Sequence, residues 1–177
     1  MRKVFLLVTF VFSVSIYGQQ PPSNPYLQTE VVNVDSISVQ TLYSRTKLFI
    51  AENFKSAKTV IQLDDPETKT LVVKGGVTPY IKNAFAGRTY GISMFTLKIQ
   101  CKDNKYKYTL SDIYHEKVST DEYSGGSFEN DKPACGTAFL NNKAWHKIKD
   151  NSIEKINNLI ALMKVQVSSK NIKKDDF

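Results

Sequence analysis

The segment from Gly91 to Tyr114 constrains this chain more than any other. Its first arm, Gly91 to Cys101 (GISMFTLKIQC), sets Phe95, Leu97, Ile99 and Cys101 on one side. Thr96, Lys98 and Gln100 fall on the other side, joined by Ile92 and Met94. The second arm, Lys105 to Tyr114 (KYKYTLSDIY), sets Tyr106, Tyr108 and Leu110 against Lys105, Lys107 and Thr109. Successive side chains of a strand point to opposite faces, so a period of two held over both arms predicts two half-buried antiparallel strands. Lys102-Asp103-Asn104 between them is a hairpin signal, because Asn tolerates a positive φ. A sheet that is apolar on one face has to be covered there, and the rest of the chain must supply the cover.

Two stretches have the right period. Val39, Leu42, Tyr43, Phe49, Ile50 and Phe54 recur at helical spacing, with Gln40, Ser44, Lys47 and Lys55 on the far side. Leu48 lies opposite the stripe. Asp35, Ser36 and Ser38 offer oxygens to cap the start of this helix. Ile153, Ile156, Leu159, Ile160, Met163 and Val167 make a second stripe. That spacing predicts a helix from Asn151 with Glu154 as its capping-box partner. Short β-branched runs at Thr29–Val34, Thr59–Leu63 and Thr70–Lys74 read as further strands. Asp64-Asp65-Pro66-Glu67-Thr68 forms a turn between the last two, and Gly75-Gly76 ends the second. The order β-α-β-β-β-β-α predicts an α+β domain: an antiparallel sheet of about five strands with two helices on one face.

The ends read differently. Met1-Arg2-Lys3, an apolar run from Val4 to Ile16 and the small residue Gly18 give the layout of a secretory signal peptide over residues 1–18. The run is too short for a permanent membrane-spanning helix, and no later apolar run approaches 18 residues. No Cys lies near the cut to carry a lipid. Residues 19–27, with Pro21, Pro22 and Pro25, form an extended leader. Residues 28–167 form a single domain, and residues 168–177 a polar tail. Removing 18 of the 177 residues leaves 159. A chain of about 150 residues buries roughly 68–70% of its unfolded surface, so it folds without metal or disulfide. With 41% hydrophobic and 23% charged residues, the chain is neither collagen-like, nor a disulfide knot, nor wholly disordered. The net charge of +7 becomes +5 once Arg2 and Lys3 leave. That balance favours acidic surfaces such as anionic headgroups or acidic polysaccharide.

The run Tyr43 to Phe54 (YSRTKLFIAENF), followed by Ala57 to Asp64 (AKTVIQLD), and the run Lys102 to Tyr114 (KDNKYKYTLSDIY) resemble the bacterial domain-of-unknown-function family numbered 4468. The resemblance spans about residues 27–166. It implies a TATA-binding-protein-like fold, a curved antiparallel sheet backed by two helices, in an envelope or secreted protein of Gram-negative bacteria. The family usually has Trp where Phe49 stands, and often Gly where Asn104 stands. The resemblance brings no activity and no catalytic residues, and DNA binding by the namesake fold is an analogy of fold alone.

Motifs for chemistry are scarce. No HExxH, GxSxG, P-loop or GxGxxG occurs, and no cofactor or metal site is expected. Asp64-Asp65-Pro66-Glu67 lacks the alternating ligands and Gly of a calcium loop and reads as an acidic turn. Of the two histidines, His146 follows Trp145, and His115 stands beside Glu116 at the head of a 23-residue polar stretch, 115–137. His115 and Glu116 define the alternative reading, an envelope hydrolase. The interleaved Lys102, Lys105, Lys107, Tyr106 and Tyr108 could stack bases and neutralise phosphates, but alternation sends lysines and tyrosines to opposite faces. Cys101 and Cys135, the only cysteines, are expected to form a disulfide in an oxidising compartment, enclosing about 34 residues. The favoured reading is an exported, non-enzymatic domain that binds an envelope partner. It would do so through the open sheet face, with Thr96, Lys98, Gln100, Lys105, Lys107 and Thr109, and would not bind nucleic acid specifically.

Overall fold

A computed structural model describes residues 26–82, 87–120 and 122–169. The signal peptide, almost all of the leader and almost all of the tail expected from the sequence lie outside the described residues.

The long hairpin forms as expected. β6 (Ile92–Lys102) and β7 (Lys105–Glu116) pair antiparallel through the turn Asp103-Asn104. Asn104 takes φ 63° there. Phe95, Leu97, Ile99, Cys101, Tyr106, Tyr108 and Leu110 are all buried on the shared inner face. β1 (Gln28–Asn33) joins the far side of β7, and β3 (Thr70–Val77) followed by β2 (Ile61–Asp65) joins the far side of β6. The main sheet therefore runs β1-β7-β6-β3-β2, and the two-residue β8 (Gly126–Ser127) adds a short pairing to β7. β4 (Tyr80–Lys82) and β5 (Gly87–Thr89) form a separate two-stranded ribbon that a five-strand count omits.

α1 (Val39–Asn53) and α3 (Asn142–Ser168) cover the inner face and pack on each other. α1 begins at the cap expected, with Ser38 Oγ accepting from Thr41 N at 3.2 Å. α3 begins nine residues before Asn151. Asn141 is its N-cap, its side chain accepting from Ala144 N at 2.9 Å. The apolar stripe extends back through Ile148 to a fully buried Trp145. Asn151 sits mid-helix, and its side chain accepts from Tyr80 N, tying the small ribbon to α3.

Two further expectations are corrected. Ala57–Val60 forms one helical turn, α2, so the strand read at Thr59–Leu63 starts at Ile61 and bulges at Gln62, which has no partner in β3. β3 does not stop at Gly75-Gly76. A Cβ on Gly75 would lie 2.4 Å from the Phe95 ring and 2.7 Å from the Phe54 ring. The glycine lets two aromatic rings lie against the strand backbone, a use of Gly inside a strand rather than at its end.

The hairpin tip is fastened to the start of α1. Val34 N donates to Asn104 O at 2.7 Å, Asn104 N to Ile37 O at 2.9 Å, and Ile37 N to Asn104 Oδ1 at 3.2 Å. Asp103 Oδ1 accepts from Val39 N at 2.7 Å. A carboxylate at a helix N-terminus satisfies an orphan N–H and meets the positive end of the helix dipole.

Candidate functional site

The two strands of the hairpin keep one parity as far as Leu110, and this decides what faces outward. On the side away from the helices, Gln100 stands opposite Lys107, Lys98 opposite Thr109, and Lys102 opposite Lys105. Thr96 lies one row further on, opposite Ser111. Lys98, Lys102, Lys105 and Lys107 are exposed, while Thr96, Gln100 and Thr109 are half-buried by their neighbours. The six residues singled out from the sequence thus share one face. Neighbouring strands add Lys74 opposite Thr96, and Val31 opposite Lys107. Lys74 and Lys102 stand outside those six, although the same alternation reaches both.

Five lysines therefore occupy this face: Lys74, Lys98, Lys102, Lys105 and Lys107. None of them makes an ion pair among the described residues. Asp65, at the edge of the face on β2, is turned to its own loop, accepting from Thr68 Oγ1 at 2.6 Å and from the Glu67 and Thr68 amides. Tyr114 is the one aromatic residue placed among the outward rows of β6 and β7, and it stands opposite Met94, away from the lysines. At the hairpin end Val31, Gln100, Lys102, Lys105, Tyr106 and Lys107 line a shallow depression of about 310 Å³. A depression of about 470 Å³ lies beside the start of α1, lined in part by Ser38 and Arg45. Its charge is already used internally, because the Arg45 guanidinium donates to the carbonyls of Ser169 at 2.6 Å and Val167 at 3.2 Å.

The inner face settles its charges differently. Lys47 Nζ lies 2.6 Å from Asp64, which also accepts from the Tyr43 hydroxyl. Lys164 Nζ lies 2.5 Å from Glu30, which also accepts from the Tyr108 hydroxyl at 2.7 Å. The hydrogen bond from Lys164 holds the Glu30 carboxyl below its ordinary range, and that from Lys47 does the same for Asp64.

His115 is not a surface residue. The pairing passes from Thr96↔Ser111 to Met94↔Tyr114, two residues on β6 against three on β7. The extra residue makes a β-bulge, and Asp112 within it takes φ 53°. Beyond it the parity of β7 inverts, so Ile113 and His115 are buried on the inner face. The His115 ring lies edge-on to Trp145 at 6.0 Å. Its Nδ1 accepts from Gly125 N at 3.0 Å, which places the proton on Nε2, 3.1 Å from Tyr90 O. Burial pushes its pKa below the usual imidazole value. Glu116, one residue on, points to the opposite side and is exposed. A general base needs a free nitrogen within reach of a substrate, and here both nitrogens are occupied by backbone. The His115–Glu116 pair of the hydrolase reading does not assemble.

The expected disulfide does not form either; both thiols are free. Cys101 stands opposite Tyr106 near the hairpin turn, its Sγ 3.9 Å from Thr46 Oγ1 under α1. Cys135 follows Ala134, whose N–H donates to Gly125 O, and Gly126 stands opposite His115 at the far end of β7. Nine residues of strand separate Tyr106 from His115, roughly 30 Å at about 3.3 Å each. A bridge requires Cα atoms within about 7 Å. The polar stretch is held by other means. Lys149 Nζ, buried on α3, donates to the carbonyls of Asn130 at 3.1 Å and Phe128 at 3.3 Å, and Trp145 Nε1 donates to Asn130 O at 3.1 Å.

Comparison with known proteins agrees with this architecture. Residues 29–116 match the family described as a domain of unknown function (DUF4468) with TBP-like fold. A TBP-like protein from Parabacteroides distasonis has a similar fold, with a TM-score of 0.59 at 15% identity, over 82% of this chain and 94% of that one. A DUF4468 family protein from Bacteroides ovatus gives a TM-score of 0.55 at 15% identity, over 78% of this chain and 85% of that one. At such identity the likeness speaks to the fold alone. No curated protein matches the chain.

Proposed function

We propose, for a chain that belongs to the DUF4468 family with its TBP-like fold, a role as an exported, non-enzymatic binding module whose open sheet face holds an anionic polymer of the cell envelope. The observation that carries this reading is the set of five outward lysines without ion-pair partners among the described residues, on a sheet whose other face pairs its edge carboxylates, Glu30 and Asp64, with lysines of the covering helices. Strands stand about 4.8 Å apart, so cross-strand rows such as Lys107-Gln100 and Thr109-Lys98 present charge and hydrogen-bond donors at short, regular intervals. Such a surface suits a hydroxylated, acidic chain, as in an acidic polysaccharide. It suits nucleic acid less well, because base stacking needs aromatic platforms and the lysine rows have none. Export rests on the signal-peptide layout of residues 1–18.

A binding titration of the exported protein against a polyuronate checks the reading. Binding that weakens with salt, and at least tenfold more in a Lys98→Glu/Lys107→Glu variant that melts like the parent, supports it. Binding only to vesicles containing anionic lipid would replace the polymer with a membrane. Sequence-selective binding to duplex DNA that survives physiological salt would overturn it.

A further inference from the structure

We infer that the hairpin end of the open face, where Lys102, Lys105 and Lys107 meet around the Gln100 side chain, is a subsite for a compact tetrahedral oxyanion of the phosphate or sulfate kind. This deepens the reading of the open face as an anion-binding surface and rests on it. Lys102 and Lys105 stand directly opposite each other across the strand pair. Side chains so placed have Cβ atoms about 4.5–5.5 Å apart, and like charges at that spacing oppose folding. Lys107 lies two residues along the same face, opposite Gln100, and all four residues line one depression of about 310 Å³. No carboxylate lines it. The nearest acid in sequence, Asp103, is committed to Val39 N, and Glu30 points to the inner face and holds Lys164.

The lysine stems are also pre-positioned. The turn between Lys102 and Lys105 is held by hydrogen bonds that Asn104 accepts from Val34 N and Ile37 N and donates to Ile37 O, so little backbone order remains to be acquired on binding. A single carboxylate would neutralise one of three ammonium groups. A dianionic tetrahedral group offers several oxygens at once to three ammoniums and an amide, and Lys binds such groups as a point charge.

Thermal unfolding at constant ionic strength tests this, with sodium phosphate, sodium sulfate or sodium acetate replacing chloride. Phosphate and sulfate should raise the melting temperature progressively, and acetate should not. Lys105→Glu should melt higher than the parent without ligand, since it creates a cross-strand ion pair with Lys102, and should lose at least tenfold in apparent phosphate affinity. Lys74→Glu, on the same face but outside the cluster, should keep the phosphate response. A phosphate response that survives Lys105→Glu overturns the subsite. So does an acetate response equal to phosphate. If the parent ignores phosphate and sulfate but still binds a polyuronate through Lys98, the subsite falls and the open-face reading stands. If it binds neither, both fall.

Discussion

On the helix side of the sheet, Lys47 and Lys164 each meet a carboxylate within 2.6 Å, and each carboxylate also accepts a tyrosine hydroxyl. On the open side, Lys98, Lys102, Lys105 and Lys107 stand in cross-strand rows with Thr109, Gln100 and each other, and no acid answers them. The inner pairs join lysines of the helices to acids of the edge strands β1 and β2, whereas the open rows lie on the inner strands β6 and β7. The sequence answers the inner lysines with acids at the sheet edges and sets none against the lysine rows of β6 and β7. Like charges left facing each other cost stability, so the open face carries a cost that folding alone does not explain.

The largest expected contrast is between adjacent residues of β6. Phe95→Ala empties a fully buried site under α1 and Gly75 and should cost about 3–5 kcal/mol. Thr96→Ala, one residue on and facing outward, should stay within about 0.5 kcal/mol. Urea denaturation of the two variants reads this directly. Equal losses would mean that the open face is covered by something structural.

Next comes His115. His115→Leu strands the Gly125 N–H and the Tyr90 carbonyl in the interior and should cost about 2–4 kcal/mol. The sign of its pH effect follows from a pKa lowered by burial. The unfolded chain takes up a proton below about pH 6.5 and the folded chain resists it, so stability falls as pH drops through that value. Glu30 and Asp64, with lowered pKa values, extend the loss further into acid, below about pH 4. Parent protein should lose stability between pH 7 and pH 5, and His115→Leu should be nearly flat across that window. A parent that is flat there would place the imidazole in solvent.

Asn104→Gly should cost about 0.5–1.5 kcal/mol, because Gly accepts the positive φ but cannot accept the hydrogen bond from Ile37 N. Asn104→Ala loses the bond and also strains the backbone, so it should be the worse of the two by chemical denaturation. The smallest effect is expected for Lys164→Met. Its ion pair with Glu30 is largely exposed and worth about 1 kcal/mol or less. That variant should bind a polyanion like the parent, whereas Lys98→Glu/Lys107→Glu, which faces Thr109 and Gln100 rather than another lysine, should reduce binding and leave stability almost unchanged. A Lys164→Met variant that binds as weakly as Lys98→Glu/Lys107→Glu would erase the distinction between the faces.

The hairpin and the first helix are legible because period-two and period-3.6 patterns run long enough to leave one assignment. Alternation alone puts Thr96, Lys98 and Gln100 on one face. What alternation cannot show is its own interruption. Ser111-Asp112 carries a local signal, since Asp is among the residues that tolerate a left-handed conformation, but nothing in the spacing marks it as a bulge. His115 therefore reads as a surface residue until the bulge is seen. Gly75-Gly76 reads as a strand end by composition, and only the rings of Phe95 and Phe54 show why glycine is needed within the strand. The disulfide follows from compartment and number alone. The distance that rules it out is set by the length of β7, which separates the two cysteines to opposite ends.

That bulge gives β7 a property of counting. Its inward residues are even-numbered before Asp112, from Tyr106 to Leu110, and odd-numbered after it, at Ile113 and His115. Three steps of chain thus do the work of two. A related chain one residue shorter between Leu110 and Ile113 could dispense with the bulge, return to plain alternation and still turn its counterparts of Ile113 and His115 inward. A chain of unchanged length has no such freedom. Flattening the bulge there would carry Tyr114 inward and His115 outward, and the anchor of the polar stretch would be lost. Length and bulge therefore vary together, and the count of residues between Leu110 and His115 tells which of the two solutions a relative has taken.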